Sequence, residues 1–303
     1  MSEAGESVDL MGRARRARAL LGTLVEIEAC GPAQVLAPAL DAALAAVARV
    51  HRLMSFHEPA SDVARINAAA AGVAVGIDPD TWGLLRRAVE IGELSGGVFE
   101  IAIAGVLVAD GLLPRSPAGA PPLDDHASFR DLDLDEPNDV TWRRKGSIDL
   151  GGIAKGFAVD QAVGALRVHG AVSGVVNAGG DLRCFGTPRP IQIRHPFAPG
   201  VRLELGLLHD CALATSAPAI GAPVGSDPLV DPRTGRRIGW ELGISVVADE
   251  CVVADAFTKI ARLDWPRASA LLATFDLEVI LVRPDAVARA GRPRLGTVEG
   301  KLP

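Results

Sequence analysis

Apolar side chains recur at three- and four-residue intervals over residues 36–53, in a stretch rich in alanine, and that spacing predicts an amphipathic helix. Just before it, residues 20–30 (LLGTLVEIEAC) partly alternate apolar and polar positions, which suits a first strand. After it, SFHEPASD breaks the helical period, and Ser61 or Asp62 can cap a short helix through Asn67. Helical spacing returns over 80–95 and is stopped by Gly96-Gly97. Residues 113–126 (LPRSPAGAPPLDDH) are rich in Pro and Gly and read as an exposed loop.

The second half is richer in strands. Residues 147–150 read as a short strand, followed by a glycine turn and a helix over about 154–169. Residues 172–177 and 182–185 read as a hairpin around Ala178-Gly179-Gly180. Further strands are predicted at 191–195, 202–208, 243–248 and 277–282, and helices at 252–263 and 266–274. No repeat is visible. Strands cluster between helices without regular alternation, so the pattern predicts an α+β fold, not a doubly wound sheet.

Composition narrows the function classes. The chain has 303 residues, 49% of them hydrophobic, which is ample for a buried core, and a net charge of -6. That balance offers no basic surplus for nucleic acid or anionic lipid. There is no Tyr and aromatics are 4%, so stacking on a planar ligand must use a few rings, His or apolar side chains. Cys30, Cys184, Cys211 and Cys251 form no CxxC pair and match no zinc spacing; they read as free, mostly buried thiols. Near the N-terminus, Arg15-Arg16 is not followed by an apolar segment, so residues 1–19 read as a flexible, solvated basic arm, not an export signal. Residues 20–303 then form the functional domain, as one body or as two subdomains. No stretch reads as long and apolar enough to span a membrane. With no clear export signal, the cytoplasm is the default compartment.

Four segments carry candidate chemistry. In Asp149-Leu-Gly-Gly-Ile-Ala-Lys-Gly-Phe-Ala-Val-Asp160, glycines before a helix allow backbone N–H groups to approach an anion. Lys155 stands in the first turn, where the helix dipole disfavours a cation unless it meets a phosphate or carboxylate. The bland alternative is a tight turn with Lys155 paired to Asp149. In VVADAFTKI (252–260), Asp255 and Thr258 share a helix face, a carboxylate and hydroxyl suited to a hard cation such as magnesium. The bland alternative is an i,i+4 ion pair from Asp255 to Lys259. LVDPRTG (229–235) is a rigid turn whose Arg233 either holds a phosphate or faces water. Phe56 and His57 precede a proline turn, where a ring either stacks on a ligand or joins the core.

The order of these segments is more specific than any one of them. LGT, MSFHEPxSDVxRIN, SGGVFEIAI, IDLGGIAKGFAVDQ, NAGGDLRCFG, ALATS, LVDPRTG and ADAFTK follow one another between about Leu21 and Val282 as they do in the ApbE-like flavin transferases, which the chain resembles. The resemblance implies an α+β fold related to the T-fold, with FAD in a cleft and magnesium beside its pyrophosphate. It also implies transfer of FMN from FAD to a Thr or Ser hydroxyl of a partner flavoprotein, with release of AMP. Family members are often exported. By the same resemblance Gly22, Thr23 and His57 match flavin-side positions, with Leu21 in place of the usual Met. Phe99 and Glu100 match the adenosine side, with Glu in place of Asp. Lys155 and Asp160 match cofactor-binding positions, Phe157 replaces a Tyr, and Thr215 and Ser216 match the segment near the flavin. The carbonyl of Ala154 and the carboxylate of Asp255 match magnesium ligands, with Thr258 as a third donor. Lys155 is then expected to stabilise oxyanion charge.

Two departures stand out. Pro228 occupies the place of a family His linked to catalysis, leaving adjacent Asp227 as the candidate base. The family's hydroxyl ligand falls four residues after the metal-binding Asp, where this chain has Lys259, so Thr258 is one residue early. Either Thr258 reaches the ion through a shift of the helix start, or Lys259 places its own charge near the pyrophosphate and weakens metal dependence. Two other functions fit the same cleft: hydrolysis of FAD to FMN and AMP, and non-catalytic FAD binding. No GxGxxG fingerprint follows a strand, which argues against a Rossmann-type redox enzyme.

Overall fold

The computed structural model describes residues 11–114, 124, 126–135, 137–218, 229–239 and 242–297. Strand β1 (Met11–Leu20) turns through Leu21 and Gly22, both at positive φ (54° and 71°), into β2 (Thr23–Pro32). Two such residues in a row give the tight connection whose twist suits a hairpin. Helix α1 (Ala33–Met54) follows, burying Leu36, Ala39, Leu40, Ala43, Leu44, Val47, Val50 and Met54 on one face. Ser61 caps α2 (Asp62–Ala68) by accepting the N–H of Ala64 at 3.0 Å. After β3 (Ala74–Gly76), Asp78 caps α3 (Pro79–Leu94), which has Pro in its first turn. The short α4 (Ala104–Ala109) and a 3-10 turn (Phe129–Asp131) lead to β4 (Leu132–Asp135) and β5 (Asp139–Trp142), which pair with β3 in the order β3-β5-β4.

Helix α5 (Ala154–Val168) is followed by β6 (Ser173–Ala178) and β7 (Asp181–Phe185), a hairpin as the sequence predicts. A second hairpin joins β8 (Arg189–Arg194) to β9 (Arg202–Leu208). Next come β10 (Ala212–Ser216), the two-residue strands β11 (Val230–Asp231) and β12 (Arg236–Arg237), and β13 (Gly243–Ala248). Helices α6 (Cys251–Leu263) and α7 (Trp265–Leu271), then strands β14 (Glu278–Val282) and β15 (Val287–Gly291), complete the described chain.

The main sheet has eight antiparallel strands in the order β1-β2-β6-β7-β10-β13-β14-β15. Alternation along β13 shows how both faces are used. Ile244, Val246 and Ala248 join the large core with α1, α5 and α6, while Val247 joins a smaller core with Ile191 and Leu205 of the β8–β9 hairpin. Helices on one face and a hairpin on the other make this the expected α+β architecture. The three-stranded sheet contributes Val140 and Trp142 to the same large core as Val25 and Ile27.

Three expectations are corrected. Residues 11–19 are not an arm, because β1 pairs along its whole length with β2; Arg13 and Arg15 bond Glu28 and Glu26 across the ladder, and Arg16 bonds Asp41 of α1. Residues 147–150 form no strand and belong to no ladder. The Asn67 amide accepts the Ile148 N–H and donates to the Ile148 carbonyl, both at 2.8 Å, and Asp149 N–H bonds the Ile101 carbonyl. The backbone here is therefore satisfied by a side chain and a loop. Finally, α1 (22 residues, mean hydropathy 1.4) is long and apolar enough by length and composition to cross a membrane. In this fold its apolar face packs on α5, β1 and β2.

Candidate active site

A cleft of about 480 Å³ opens between the segment after α3, the glycine turn before α5, the end of β10 and the last turns of α6. Its volume lies within the range of small-molecule sites. One wall is apolar, built from Val98, Phe99, Ile101, Leu107 and Leu112. The rest of the lining includes Asp149, Gly152, Lys155, Thr215, Ser216, Lys259 and Arg262. Five of the expected site residues, Phe99, Glu100, Lys155, Thr215 and Ser216, thus share one cavity.

Behind the cleft lining, α5 and α6 satisfy each other's N-termini. Asp255, on α6, accepts the N–H of Gly156 at 3.0 Å, placing its carboxylate at the N-terminus of α5, where the dipole favours an anion. Asp160, on α5, accepts the N–H groups of Cys251 and Val252, both at 2.9 Å, and so caps α6 in return. The helices pass so closely that a Cβ on Gly156 would lie 2.3 Å from the Cys251 carbonyl oxygen, so only glycine fits there.

Two lysines answer the buried acids. Lys155 Nζ bonds Asp181, not Asp149, and Lys259 Nζ bonds the Asp255 carboxylate. Both lysines line the cleft, while Asp181 and Asp255 lie behind them, buried. The Asp181 carboxyl is pushed up to about 6 by burial and by the neighbouring Asp255, against the pull of Lys155 and Lys259. Burial works against the Lys155 ammonium, but Asp255 and Asp181 together hold it above its ordinary range.

The acids in the cleft wall differ in task. Glu100 accepts the N–H groups of Ala102 (2.7 Å) and Phe129 (2.9 Å), so it shapes the wall, and burial pushes its carboxyl up. Asp149 accepts the Gly151 N–H at 3.1 Å; burial raises its carboxyl too, with Gly151 and His57 pulling the other way. Thr215 Oγ1 lies 2.9 Å from Ser245 Oγ.

Other expected residues lie outside the cleft lining. Thr23 packs against the turn between β6 and β7, where a Cβ on Gly179 would come 2.4 Å from Thr23 Oγ1. Gly22 is the second residue of the β1–β2 turn. His57 is exposed and meets Phe56 edge-on, with ring centroids 6.2 Å apart. Asp160 points to α6 and to Arg183 (2.7 Å), so a cofactor-facing position is corrected to a helix cap. Arg233 is exposed to water, and it bonds Asp231 and Asp264 and so fixes its own turn. Asp227 and Pro228 lie outside the described residues.

The donor set fits a divalent cation poorly. One Asp255 oxygen holds the Gly156 N–H and the other holds Lys259, while the Thr258 hydroxyl donates to the Asp255 carbonyl at 2.8 Å. Ala154, at the start of α5, would be left to offer a carbonyl alone. Among the described residues no group of three or more His, Cys, Asp or Glu could hold a metal. The Asp255–Lys259 ion pair that the sequence offers as an alternative is formed.

The sequence profile of the ApbE family matches residues 21–281. The chain belongs to that family. It is 29% identical over 94% of its length to the FAD:protein FMN transferase of Rhodobacter capsulatus, spanning 58% of that protein. It is 28% identical over 92% of its length to the FAD:protein FMN transferase of Treponema pallidum, spanning 88% of it. The structure resembles the flavin transferase ApbE from Vibrio cholerae (TM-score 0.79, 19% identity, 94% of this chain and 98% of that one). It resembles the Pseudomonas stutzeri flavinyl transferase ApbE, apo form, equally well (TM-score 0.79, 18% identity, 95% and 98%). At such identities these likenesses speak to the ApbE fold.

Within the ApbE fold, Asp149, Asp181 and Arg262 were not singled out as site residues. The first two stand inside motifs that carry the resemblance, IDLGG and NAGGD, but their roles depend on partners elsewhere in the chain. Asp181 is Lys155's counter-ion across 26 residues, and Arg262 joins the cleft through its place three residues after Lys259.

Proposed function

We propose that this ApbE-family chain transfers FMN from FAD to a Thr or Ser hydroxyl of a partner flavoprotein. The observation that carries this is the convergence of Phe99, Glu100, Lys155, Thr215 and Ser216 on one cleft, apolar on one wall and cationic at its floor. Such a cleft suits a planar ring system joined to a pyrophosphate, and the two FAD:protein FMN transferases among its relatives support the same reading.

In this reading the acceptor oxygen attacks the FMN-side phosphorus. A new P–O ester bond forms, the P–O bond to the bridging oxygen breaks, and AMP leaves with that oxygen. The acceptor proton passes to a carboxylate. Such transfer depends mainly on positioning and on neutralising charge in the transition state. Lys155 and Lys259 supply that charge, and the apolar wall excludes water from the reacting phosphorus. Magnesium, when bound, would add a Lewis acid; Ala154 and Asp255 would be its donors only after Lys259 withdrew. Asp149, whose carboxyl is raised by burial, lines the cleft as a proton acceptor beside the sequence candidate Asp227.

The test is incubation with FAD and candidate flavoproteins, followed by intact mass and nucleotide analysis. Protein-bound FMN with equimolar AMP is expected, and Asp149→Asn should slow it by about 10²-fold, the low end for general-base catalysis. FMN released free would favour hydrolysis, and unchanged FAD would leave a binding protein.

A further inference from the structure

Lys259 is bonded twice to one residue: its Nζ bonds the Asp255 carboxylate and also donates to the Asp255 backbone carbonyl at 3.0 Å. Its stem crosses the glycine turn ahead of α5, with Cε 3.8 Å from where a Cβ on Gly152 would stand. The Lys259 side chain therefore lies against the glycine turn that leads into α5, on the lining of the cleft. Lys155 flanks it on Asp181, so two cations face the cleft and two buried carboxylates lie behind them.

We propose that Lys259 stands in for the divalent cation of this site, so that the FAD pyrophosphate is bound and neutralised by two lysine ammonium groups without a metal ion. The proposal rests on the FMN-transfer reading and deepens it. A cation on Asp255 would occupy the space of the Lys259 ammonium, and like charges at that separation repel strongly where water is scarce. The neighbouring hydroxyl offers no alternative, because Thr258 is buried and turned onto the Asp255 carbonyl. A flexible four-carbon stem lets Nζ swing from carboxylate to phosphate oxygen while the buried acid stays fixed by Gly156. Both ammonium groups donate hydrogen bonds to non-bridging oxygens, and no proton or electron is transferred to or from them.

Calorimetry with FAD, in EDTA and in magnesium, tests this on the full-length chain, alongside Mn²⁺ titration followed by electron paramagnetic resonance. Wild type should bind FAD in EDTA within about threefold of its affinity in magnesium, less than one charged hydrogen bond contributes. It should not order Mn²⁺. Lys259→Ser should lose about 10-fold or more in EDTA, the loss of one charge-assisted bond. Magnesium should restore it, and one Mn²⁺ should now be ordered. Lys259→Arg, which keeps the charge, should retain most metal-free affinity, and circular dichroism checks that each variant is folded. Wild type that binds FAD only with magnesium, or orders Mn²⁺ as tightly as Lys259→Ser does, would overturn the inference while leaving the transferase reading intact. Wild type that binds FAD under neither condition would overturn both.

Discussion

Asp160 and Asp255 are the same device used twice, each a carboxylate on one helix that satisfies the N-terminus of the other. They differ in what completes them. Asp160 holds two backbone N–H groups and Arg183, and none of these lines the cleft. Asp255 holds one N–H and Lys259, and that lysine does line the cleft. A carboxylate closed by fixed partners only stabilises the fold. A carboxylate whose last partner is a mobile side chain keeps a cation in reserve for an incoming anion. The reciprocal capping thus yields one purely structural end and one end that can exchange its counter-ion.

The largest effect should come from breaking the structural end. Asp160→Ala leaves Arg183 without its carboxylate and uncaps α6, and should cost about 3–5 kcal/mol, as for removing one partner of a buried ion pair. Urea unfolding measures it, and FAD should recover little of the loss.

The second prediction probes charge at the other end through pH. Asp181's folded pKa is about 6, above its unfolded value of 3.8, so the folded state binds more protons between these values. Its contribution is fully present below about pH 4 and is lost as pH rises through about 6, by up to about 3 kcal/mol at 1.36 kcal/mol per unit. Glu100, Asp149 and Asp160 are shifted the same way, so the informative quantity is the difference between wild type and Asp181→Asn. The variant should show a shallower fall in stability from pH 4 to 6.

Gly156→Ala sharpens the comparison geometrically, since it separates the two helices without touching either carboxylate. Overpacking against the Cys251 carbonyl should cost about 1–3 kcal/mol and raise the chain's susceptibility to denaturant.

Asp255→Asn should have the smallest effect on stability, about 1 kcal/mol, because the amide oxygen can still accept the Gly156 N–H. It frees Lys259, so FAD should raise the melting temperature more in the variant than in wild type. An equal shift would mean that Asp255 does not restrain the lysine.

The fold was legible where burial writes a period into the chain. Residues 36–53 lie within α1, 202–208 and 243–248 coincide with β9 and β13, and Ser61 caps α2. β1 was missed because it is an edge strand with arginines on both faces, stabilised by cross-strand acids instead of an apolar side. Residues 147–150 misled for the opposite reason: their apolar alternation is real, but their hydrogen bonds go elsewhere. In the site, Lys155, Phe99, Glu100, Thr215 and Ser216 were found through the order of short motifs. What the sequence could not show was pairing. Asp160 and the N–H of Cys251 are 91 residues apart, and nothing local to either announces the other.

The amide of Asn67, clasping Ile148 from 81 residues away, has a consequence for chain length. It closes a long loop, and the entropy of closing such a loop grows only with the logarithm of its length; doubling it costs about 0.6 kcal/mol. The Pro- and Gly-rich stretch at 113–126 lies within that loop. Chain can therefore be added there or removed at little thermodynamic expense, while the clasp keeps the stretch leading into Asp149 in place.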